Sequence, residues 1–418
     1  MAYGIGYCKK LLDKKRNRCL LRYKYYEMKN YVVDYSIIHK GRIQNLTPRL
    51  GWCTKAVDAL ADRLMLKGWK DDVFNIDSIF RMNNSDILFD SAILGALITG
   101  CSFIYIHKES GEELPRLEVL DGRDATGVID PVTNLLKEGY AVLDRDKNGR
   151  PILEAYFEPG CTTYYRAGGE PYIELNAAPA PLLIPVLFRP DSKRPFGHSR
   201  ISRANMELQD SAVRTLKRAE VSSEFYSFPQ KYVTGLSDDA QALDSWKATI
   251  STMLSFTKDG EGESPKVGQF SQQSMTPYVD QLRMQASLFA GENGLTLDDL
   301  GFVSDNPSSA EAIKASHETL RLTARAAQRT FGTCFLNAGW LAACLRDDYP
   351  YLRRQAHLTS AIWAPIFEPD SAMLSSIGDG AIKLNQAVPG YFGTSNLAEL
   401  TGIDADQGAG QVEADESE

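Results

Sequence analysis

The longest regular pattern of hydrophobic and polar positions lies in the last third of the chain. After Asn306-Pro307, apolar side chains recur at helical spacing over residues 308–345. Ser308 and Glu311 have the spacing of a capping box, which satisfies free backbone N–H groups in the first turn of a helix. The pattern predicts one helix of about 55 Å, bent at its internal glycines. Such a helix needs cover from other elements of the chain or from other copies of it.

Eight shorter segments also have a helical pattern or composition. One is opened by Thr276 as a capping residue and Pro277 in the first turn. Another, Ser199–Tyr226, alternates basic and acidic residues in the way that is typical of a solvated helix face. The eight segments are residues 9–30, a helix within Asn45–Trp69 that ends at Gly68, Asn83–Gly100, Ser199–Tyr226, Ser237–Leu254, 276–290, Leu374–Gln386 and Ser395–Leu400.

A β-rich run, Ser102–His107, follows Gly100, and from residue 115 to 190 the pattern changes to short strands separated by turn sequences. Two more strand-like runs lie at 230–234 and 266–270. We read Pro179–Pro195, which is rich in proline, as an extended connector. Together with the helices, these runs predict an α+β fold with an antiparallel sheet. The predicted strands are Ser102–His107, Arg116–Leu120, Gly139–Leu143, Ile152–Phe157, Tyr172–Leu175, Gln230–Thr234 and Lys266–Phe270.

The charge of the chain limits the kinds of partner that it can hold tightly. It has 54 acidic and 46 basic residues and a net charge of −8. Proteins that wrap nucleic acid tightly are usually basic, although an acidic protein can surround DNA without gripping it. The longest apolar stretch, Ile87–Ile106, contains Asp90 and is too polar for a membrane span, and the N-terminus lacks a secretory h-region. We expect no membrane partner.

No catalytic or metal-binding pattern stands out. The seven cysteines form no C-x-x-C pair and the five histidines are scattered, so we expect reduced thiols, no metal and no cofactor. P-loop, H-E-x-x-H and G-x-S-x-G motifs are absent from the sequence. Adjacent carboxylates can hold Mg²⁺, but those present lie at turns or helix ends, where acidic residues are common. They are Glu112-Glu113, Asp238-Asp239, Asp298-Asp299 and Asp347-Asp348.

The order of these elements resembles the portal proteins of tailed bacteriophages, of the siphophage type. Four stretches carry the resemblance in the same order and with similar spacing, and it covers about residues 1–400. They are GWCTKAVDALADRLMLKGW (51–69), NNSDILFDSAILGALITGCSFIYIH (83–107), PFGHSRISRANMELQDSAVRTLKRAEVSSEFYSFPQKYVTG (195–235) and DNPSSAEAIKASHETL (305–320).

The resemblance implies a portal fold of wing, stem, clip and crown, with long helices and an antiparallel β body. The crown would be short for the family, and the acidic tail matches no family motif. The implied parts are a wing (1–198), a first stem helix (199–226), a clip (227–275), a second stem helix (276–294), a tunnel loop (295–307), a long wing helix (308–345), a crown (346–403) and a disordered acidic tail (404–418).

The resemblance also implies a non-enzymatic function. Portal proteins form rings, usually of twelve copies, at the capsid vertex, and double-stranded DNA is packaged and ejected through the channel. The implied partners are the terminase large subunit, a head–tail adaptor, and the major capsid and scaffolding proteins. The implied location is the virion, and the host cytoplasm during assembly.

Three groups of residues are candidates for these contacts. The functional interpretation of the tunnel-loop residues is that they line the channel. For the aspartates among them, the structural alternative is that they cap a helix and are solvated. Transient phosphate contact is one reading of the stem basic residues, and salt bridges between subunits are the other. For the long helix we expect pairing with carboxylates of an adjacent copy. The groups are Asp298, Asp299, Phe302, Ser304, Asp305 and Asn306; Arg214, Lys217 and Arg218; and Arg321, Arg325 and Arg329.

Two other functions remain open at this stage. One is a metal-dependent, DNA-processing phosphoesterase that uses the acidic pairs. The other is a monomeric scaffold that binds protein partners through the basic helix at residues 9–30, although that helix can equally be a solvated one whose tyrosines pack on the body.

Overall fold

The computed structural model describes most of the chain and confirms the α+β class. Helices and antiparallel sheets alternate, and every strand pair among the described residues is antiparallel. The described residues are 3–33, 47–109, 111–227, 231–234, 266–269, 274–302, 315–367, 369 and 371–403.

Nine α-helices lie within the described residues. They are α1 (Ile5–Tyr26), α2 (Trp52–Ala61), α3 (Ile76–Met82), α4 (Ser85–Thr99), α5 (Arg203–Ser227), α6 (Thr276–Asn293), α7 (Glu318–Arg346), α8 (Ser371–Ala387) and α9 (Thr394–Thr401). Two 3₁₀ turns, Asp298–Leu300 and Arg353–Ala356, precede and follow α7.

Twelve described strands form four sheets, with orders β1-β12, β10-β11, β3-β2-β9 and β4-β5-β6-β7-β8. The strands are β1 (Leu66–Lys70), β2 (Cys101–His107), β3 (Arg116–Leu120), β4 (Ala125–Ile129), β5 (Leu136–Arg145), β6 (Pro151–Glu158), β7 (Cys161–Arg166), β8 (Tyr172–Leu175), β9 (Leu183–Leu187), β10 (Lys231–Thr234), β11 (Lys266–Gln269) and β12 (Ser360–Trp363).

The main core forms where α4 and α7 pack against the three-stranded sheet. Phe331 and Phe335 of α7 are fully buried, and their rings lie 6.2 Å from Phe188 and 4.7 Å from Phe89 of α4, respectively. Burying each such ring contributes about 2 kcal/mol. Helix α1 covers the five-stranded sheet, where its Cys8 and Leu12 join a smaller apolar cluster.

The long helix agrees with its prediction from Glu318 onward, but the predicted helix is not continuous: His317 is a turn residue that caps it, after helical residues 315–316. It ends at Arg346, and its glycines allow other elements to approach closely. A Cβ at Gly332 would lie 3.1 Å from Ala361, and one at Gly339 would lie 2.9 Å from Ile76. The predicted start, with Ser308 and Glu311, lies outside the described residues.

The helix predicted to end at Gly68 ends at Ala61 instead, and the following Leu66–Lys70 is strand β1. Its pairing with β12 explains the error, because Leu66 and Trp69 lie opposite Trp363 and Ala361, nearly 300 residues later. A partner so distant in sequence outweighs local helix propensity.

The predicted connector Pro179–Pro195 contains a core strand. Strand β9 is buried at all five positions and pairs with β2. Pro185 fits because β9 is an edge of its sheet, where a missing backbone N–H breaks no ladder.

Smaller differences concern helix ends and short elements. At α6 the capping position belongs to Met275, and Thr276 is the first helical residue; Gly291 lies inside the helix, and Gly294, at φ +64°, ends it. The sequence patterns missed α3, β4, β7 and β12. The predicted helix Ser237–Leu254 and the tail 404–418 lie outside the described residues.

Candidate interface residues

The basic N-terminal helix is fixed to the body by its tyrosines, as the structural reading expected. The Tyr23 hydroxyl donates to Asp121, Tyr25 to Asp210 at 2.7 Å, and Tyr26 to Asp58 at 2.9 Å. Burial and the Asp58 hydrogen bond raise the pKa of Tyr26 to about 12. These contacts explain why aromatic residues alternate with the basic ones.

Two basic residues of this helix also serve the core. Lys15 Nζ donates to the carbonyl of Ala125 at 2.8 Å and lies 4.6 Å from the centre of the Phe103 ring. Arg22 donates to the carbonyl of Thr99 at 3.1 Å. Half-buried cations of this kind are not available as a free binding surface, whereas Lys10, Lys14 and Arg18 are exposed.

The stem candidates lie on α5 and differ in environment. Arg214 Nη2 is 3.1 Å from Glu207 Oε1 of the same helix. Lys217 is half-buried, and Arg218 is exposed.

Polar side chains join α5 to α6 and fix their antiparallel register. Asn205 and Asn293 are both buried and exchange two amide hydrogen bonds, of 2.8 and 3.1 Å. Farther along, Gln285 Nε2 donates to Ser211 Oγ at 2.8 Å, and the Ser222 and Tyr278 hydroxyls are 2.8 Å apart. Periodicity did not predict this network, since it shows only the apolar face of each helix.

In the loop before α7, the structure separates the candidates by environment. Asp298 is exposed, whereas Asp299 Oδ2 accepts hydrogen bonds from the backbone N–H and the hydroxyl of Thr296 at 2.9 and 3.0 Å. Phe302 packs against the main core. Of the described loop candidates, only Asp298 therefore presents a free side chain. Ser304, Asp305 and Asn306 lie outside the described residues.

The three arginines of α7 are not equivalent. Arg321 forms a bidentate pair with Glu318 of its own helix, with N–O distances of 2.5 and 2.6 Å, and this hydrogen-bonded pair lowers the pKa of Glu318. Arg325 and Arg329 are exposed and form no ion pair with any residue that the structure describes.

A buried arginine outside the three groups of candidates lines the same cavity as Arg329. Arg200 is 7% exposed; its Nε donates to the carbonyl of Ala56 at 3.1 Å and its Nη2 to that of Asn293 at 2.5 Å. Burial, with a smaller effect of Arg189, lowers the pKa of Arg200 to about 10, so the group stays charged at neutral pH. Arg200 stands at the start of the predicted helix Ser199–Tyr226, where the sequence does not distinguish it from the exposed basic residues of that segment.

Arg200 lines a cleft of about 890 Å³. The cleft lies between the segment after β9, the start of α5, the end of α6 and one side of α7. Its charged lining residues are Arg189, Asp191, Arg200, Glu292 and Arg329, and His198 also lines it.

A metal-dependent phosphoesterase would use the acidic pairs to hold its metal, and one of them, Asp238-Asp239, lies outside the described residues. Within them, no group of three or more His, Cys, Asp or Glu side chains is placed to hold a metal ion. Glu112 and Asp347 each pair with an arginine of the same chain, Arg116 and Arg346. No helix in the described ranges has the length and apolar character to cross a membrane.

Sequence comparison gives one family. The model of "Phage portal protein, SPP1 Gp6-like" matches residues 5–350. The portal protein of Mycobacterium phage L5 is 26% identical over 319 residues, which cover 71% of this chain and 65% of the relative. That of Mycobacterium phage D29 is 25% identical over 386 residues, covering 86% and 77%. The alignment thus spans just under two thirds of the L5 protein.

Among solved structures, chains from gene transfer agent particles are similar over 85% of this chain and 90% of theirs. One comes from the virion of the native particle, with a TM-score of 0.42 and 14% identity. Another comes from the neck of the native particle computed with C12 symmetry, with a TM-score of 0.43 and 16% identity. These scores are too low to add to the family assignment.

Proposed function

We propose, because the chain belongs to the SPP1 Gp6-like phage portal family, that its copies form a ring of twelve at a capsid vertex and that double-stranded DNA passes through the bore. The observation that carries this proposal is the family match over residues 5–350. In this proposal the protein forms an oligomeric ring with a channel and catalyses no reaction. Its location is the virion, and the host cytoplasm while the particle is assembled.

The parts of the ring follow the order of elements. Residues 1–198 form the wing, and α5 and α6 form the stem, with the loop 295–307 at the channel and α7 returning through the wing. The clip, residues 227–275, joins the two stem helices, and the crown is 346–403. The antiparallel pairing of β10 with β11 supports this arrangement, because it closes the base of the segment between α5 and α6.

The chemistry of the chain suits a conduit that DNA moves through. Each phosphate that a protein neutralises adds affinity, and many such contacts would slow translocation. A net charge of −8 and the exposed Asp298 favour weak binding. We assign channel contact to Asp298, Ser304, Asp305 and Asn306, and give Asp299 and Phe302 the supporting roles of holding the loop together and anchoring it to the core.

The basic candidates contribute to contacts between copies. Arg214, Lys217 and Arg218 lie on the stem helix α5, and Arg325 and Arg329 on α7, where each can meet carboxylates of an adjacent copy. Arg321 and Arg214 each have a partner in their own chain, Glu318 and Glu207, so their contributions are smaller. The terminase large subunit docks on the clip during packaging and a head–tail adaptor docks later, while capsid and scaffolding proteins surround the wing.

The test is the mass and shape of the purified protein. A monomer has a mass of 46.4 kDa, and the proposal expects particles of twelve times that mass with a central hole in negative-stain images. A single compact particle at every concentration would contradict the ring and favour a monomeric scaffold. Metal-dependent cleavage of plasmid DNA, lost on substitution of Asp298 and Asp299, would favour the phosphoesterase instead.

A further inference from the structure

The cleft beside Arg200 combines two features that attract a negative charge. The first is Arg200 itself, which is nine-tenths buried and hydrogen-bonded only to neutral carbonyl groups among the described residues. The second is the start of α5, where Ser202 Oγ accepts from the backbone N–H of Asn205 at 3.1 Å. The first turn of a helix carries partial positive charge, so both groups favour a carboxylate at this place.

The rest of the lining adds positive charge. Arg189 and Arg329 reach the same cleft. Of its two carboxylates, Asp191 is already engaged by the ring of His198 at 2.6 Å and by two backbone N–H groups. Glu292, on the last turn of α6, is the other. The cleft therefore contains three guanidinium groups. Of its two carboxylates, Glu292 is the one for which the described contacts include no ion pair or side-chain hydrogen bond.

The cleft continues as a groove along α7. A second cavity, of about 510 Å³, shares Leu135, Thr333 and Asn337 with the first. It adds the charged residues Asp130, Lys137 and Arg353, of which Asp130 and Lys137 pair with each other at 3.4 Å. From Ala326 to Trp340 the groove follows about 21 Å of the helix. An extended segment of about six residues has that length.

We propose that this groove receives an extended acidic segment of a second copy of the chain, with a carboxylate opposite Arg200. The inference rests on the ring proposed above. A closed ring needs head-to-tail contacts, in which each copy offers one receiving and one inserting surface. The chain has eight more acidic than basic residues, so a groove lined by excess arginine and lysine is complementary to the rest of its own surface.

Other occupants fit less well. A DNA duplex presents its phosphates on a convex outer surface, where an Arg200 that is only 7% exposed is poorly placed to meet them. A small free anion would bind at Arg200 and leave the long extension beside α7 empty. A polypeptide segment fills both parts. Thr333 Oγ1 already donates to the carbonyl of Arg329 and Asn337 Oδ1 already accepts from Arg353 Nε, so a backbone N–H can donate to Thr333 Oγ1 and a backbone C=O can accept from Asn337 Nδ2.

The first experiment compares two charge reversals. Arg329→Glu changes the groove without touching the carbonyl contacts of Arg200, and Arg150→Glu makes the same change at the exposed turn between β5 and β6. Mass photometry over a concentration series measures assembly. We expect Arg150→Glu to assemble as the natural sequence does, and Arg329→Glu to need at least a tenfold higher concentration for half-assembly. Equal assembly of the two variants would overturn the proposal.

The second experiment identifies the occupant. A photo-crosslinking amino acid at the exposed Thr333 is introduced into chains of natural isotope content, which are mixed with ¹⁵N-labelled chains before assembly. We expect crosslinked peptides that join the two isotope types and contain Asp or Glu. Crosslinks only within one chain, or to DNA, would refute the inference.

The outcomes separate this inference from the proposed function. If the natural chain stays at 46.4 kDa, the ring itself is wrong. If it forms rings, and Arg329→Glu forms them equally well with no crosslink between copies, the ring stands and the groove is not its interface.

Discussion

At the scale of single residues, Asn205 and Asn293 show how polar groups can set the register of two helices. If one of the two side chains is removed, the buried amide of the other loses its hydrogen-bond partner. We expect Asn293→Ala to destabilise the fold by about 1–3 kcal/mol, and the double replacement with Asn205→Ala to cost less than the sum of the two. Thermal unfolding measures both, with Asn17→Ala on the exposed face of α1 as the control. Additive effects would mean that the two amides act independently.

The tyrosines of α1 make the attachment of this helix sensitive to alkaline pH. Tyr26 ionises near pH 10 in the unfolded chain but has a pKa of about 12 in the fold. Between these values the folded state keeps a proton that the unfolded state loses, so stability falls as the pH rises from 10 to 12. The unfolding temperature should fall less over that range in Tyr26→Phe than in Tyr31→Phe, whose tyrosine is 86% exposed. An identical fall would contradict this account.

Arg200 marks the limit of what residue types could predict about the site. The stripe of arginines on α7 was visible because its members recur every four residues. Arg200 belongs to no such pattern, and its importance arises from Ala56 and Asn293, which are 144 and 93 positions away. The sequence similarly could not separate Asp298 from Asp299, since only the fold places Thr296 against one of them.

At the scale of elements, the sequence correctly predicted those helices and strands whose ends are marked by nearby residues such as a capping glycine. Helix α4 ends at Gly100, whose φ of +101° suits glycine, and β2 follows at once as expected. The errors lie where a distant partner decides. Strand β1 pairs with β12, and β9 pairs with β2. From its local sequence alone, β1 looks like the end of a helix and β9 looks like part of a connector.

The packing of α7 on α3 gives a prediction for this helix pair. A Cβ at Gly339 would lie 2.9 Å from the side chain of Ile76, and such overpacking costs about 1–3 kcal/mol. We expect Gly339→Ala to lower the unfolding temperature and Ile76→Val to restore part of the loss. Gly378→Ala in α8 is the matched control: nothing lies within 4 Å of its new Cβ, so it should stabilise its helix by up to about 1 kcal/mol. A Gly339→Ala variant as stable as the control would show that the helices can separate without cost.

At the scale of the whole molecule, a ring multiplies every charge that faces its bore. Asp298→Lys changes one exposed residue per copy, yet the assembled channel would gain a full circle of cations around the DNA. Since each neutralised phosphate steepens the dependence of log K on log salt by about 0.9, DNA binding should become tighter and more salt-sensitive, and packaging should slow. Asp13→Lys on the exposed face of α1 makes the same change in net charge away from the loop. If both variants bound DNA alike, net charge and not position at the channel would set the affinity, and the bore would lie elsewhere than at residues 295–307.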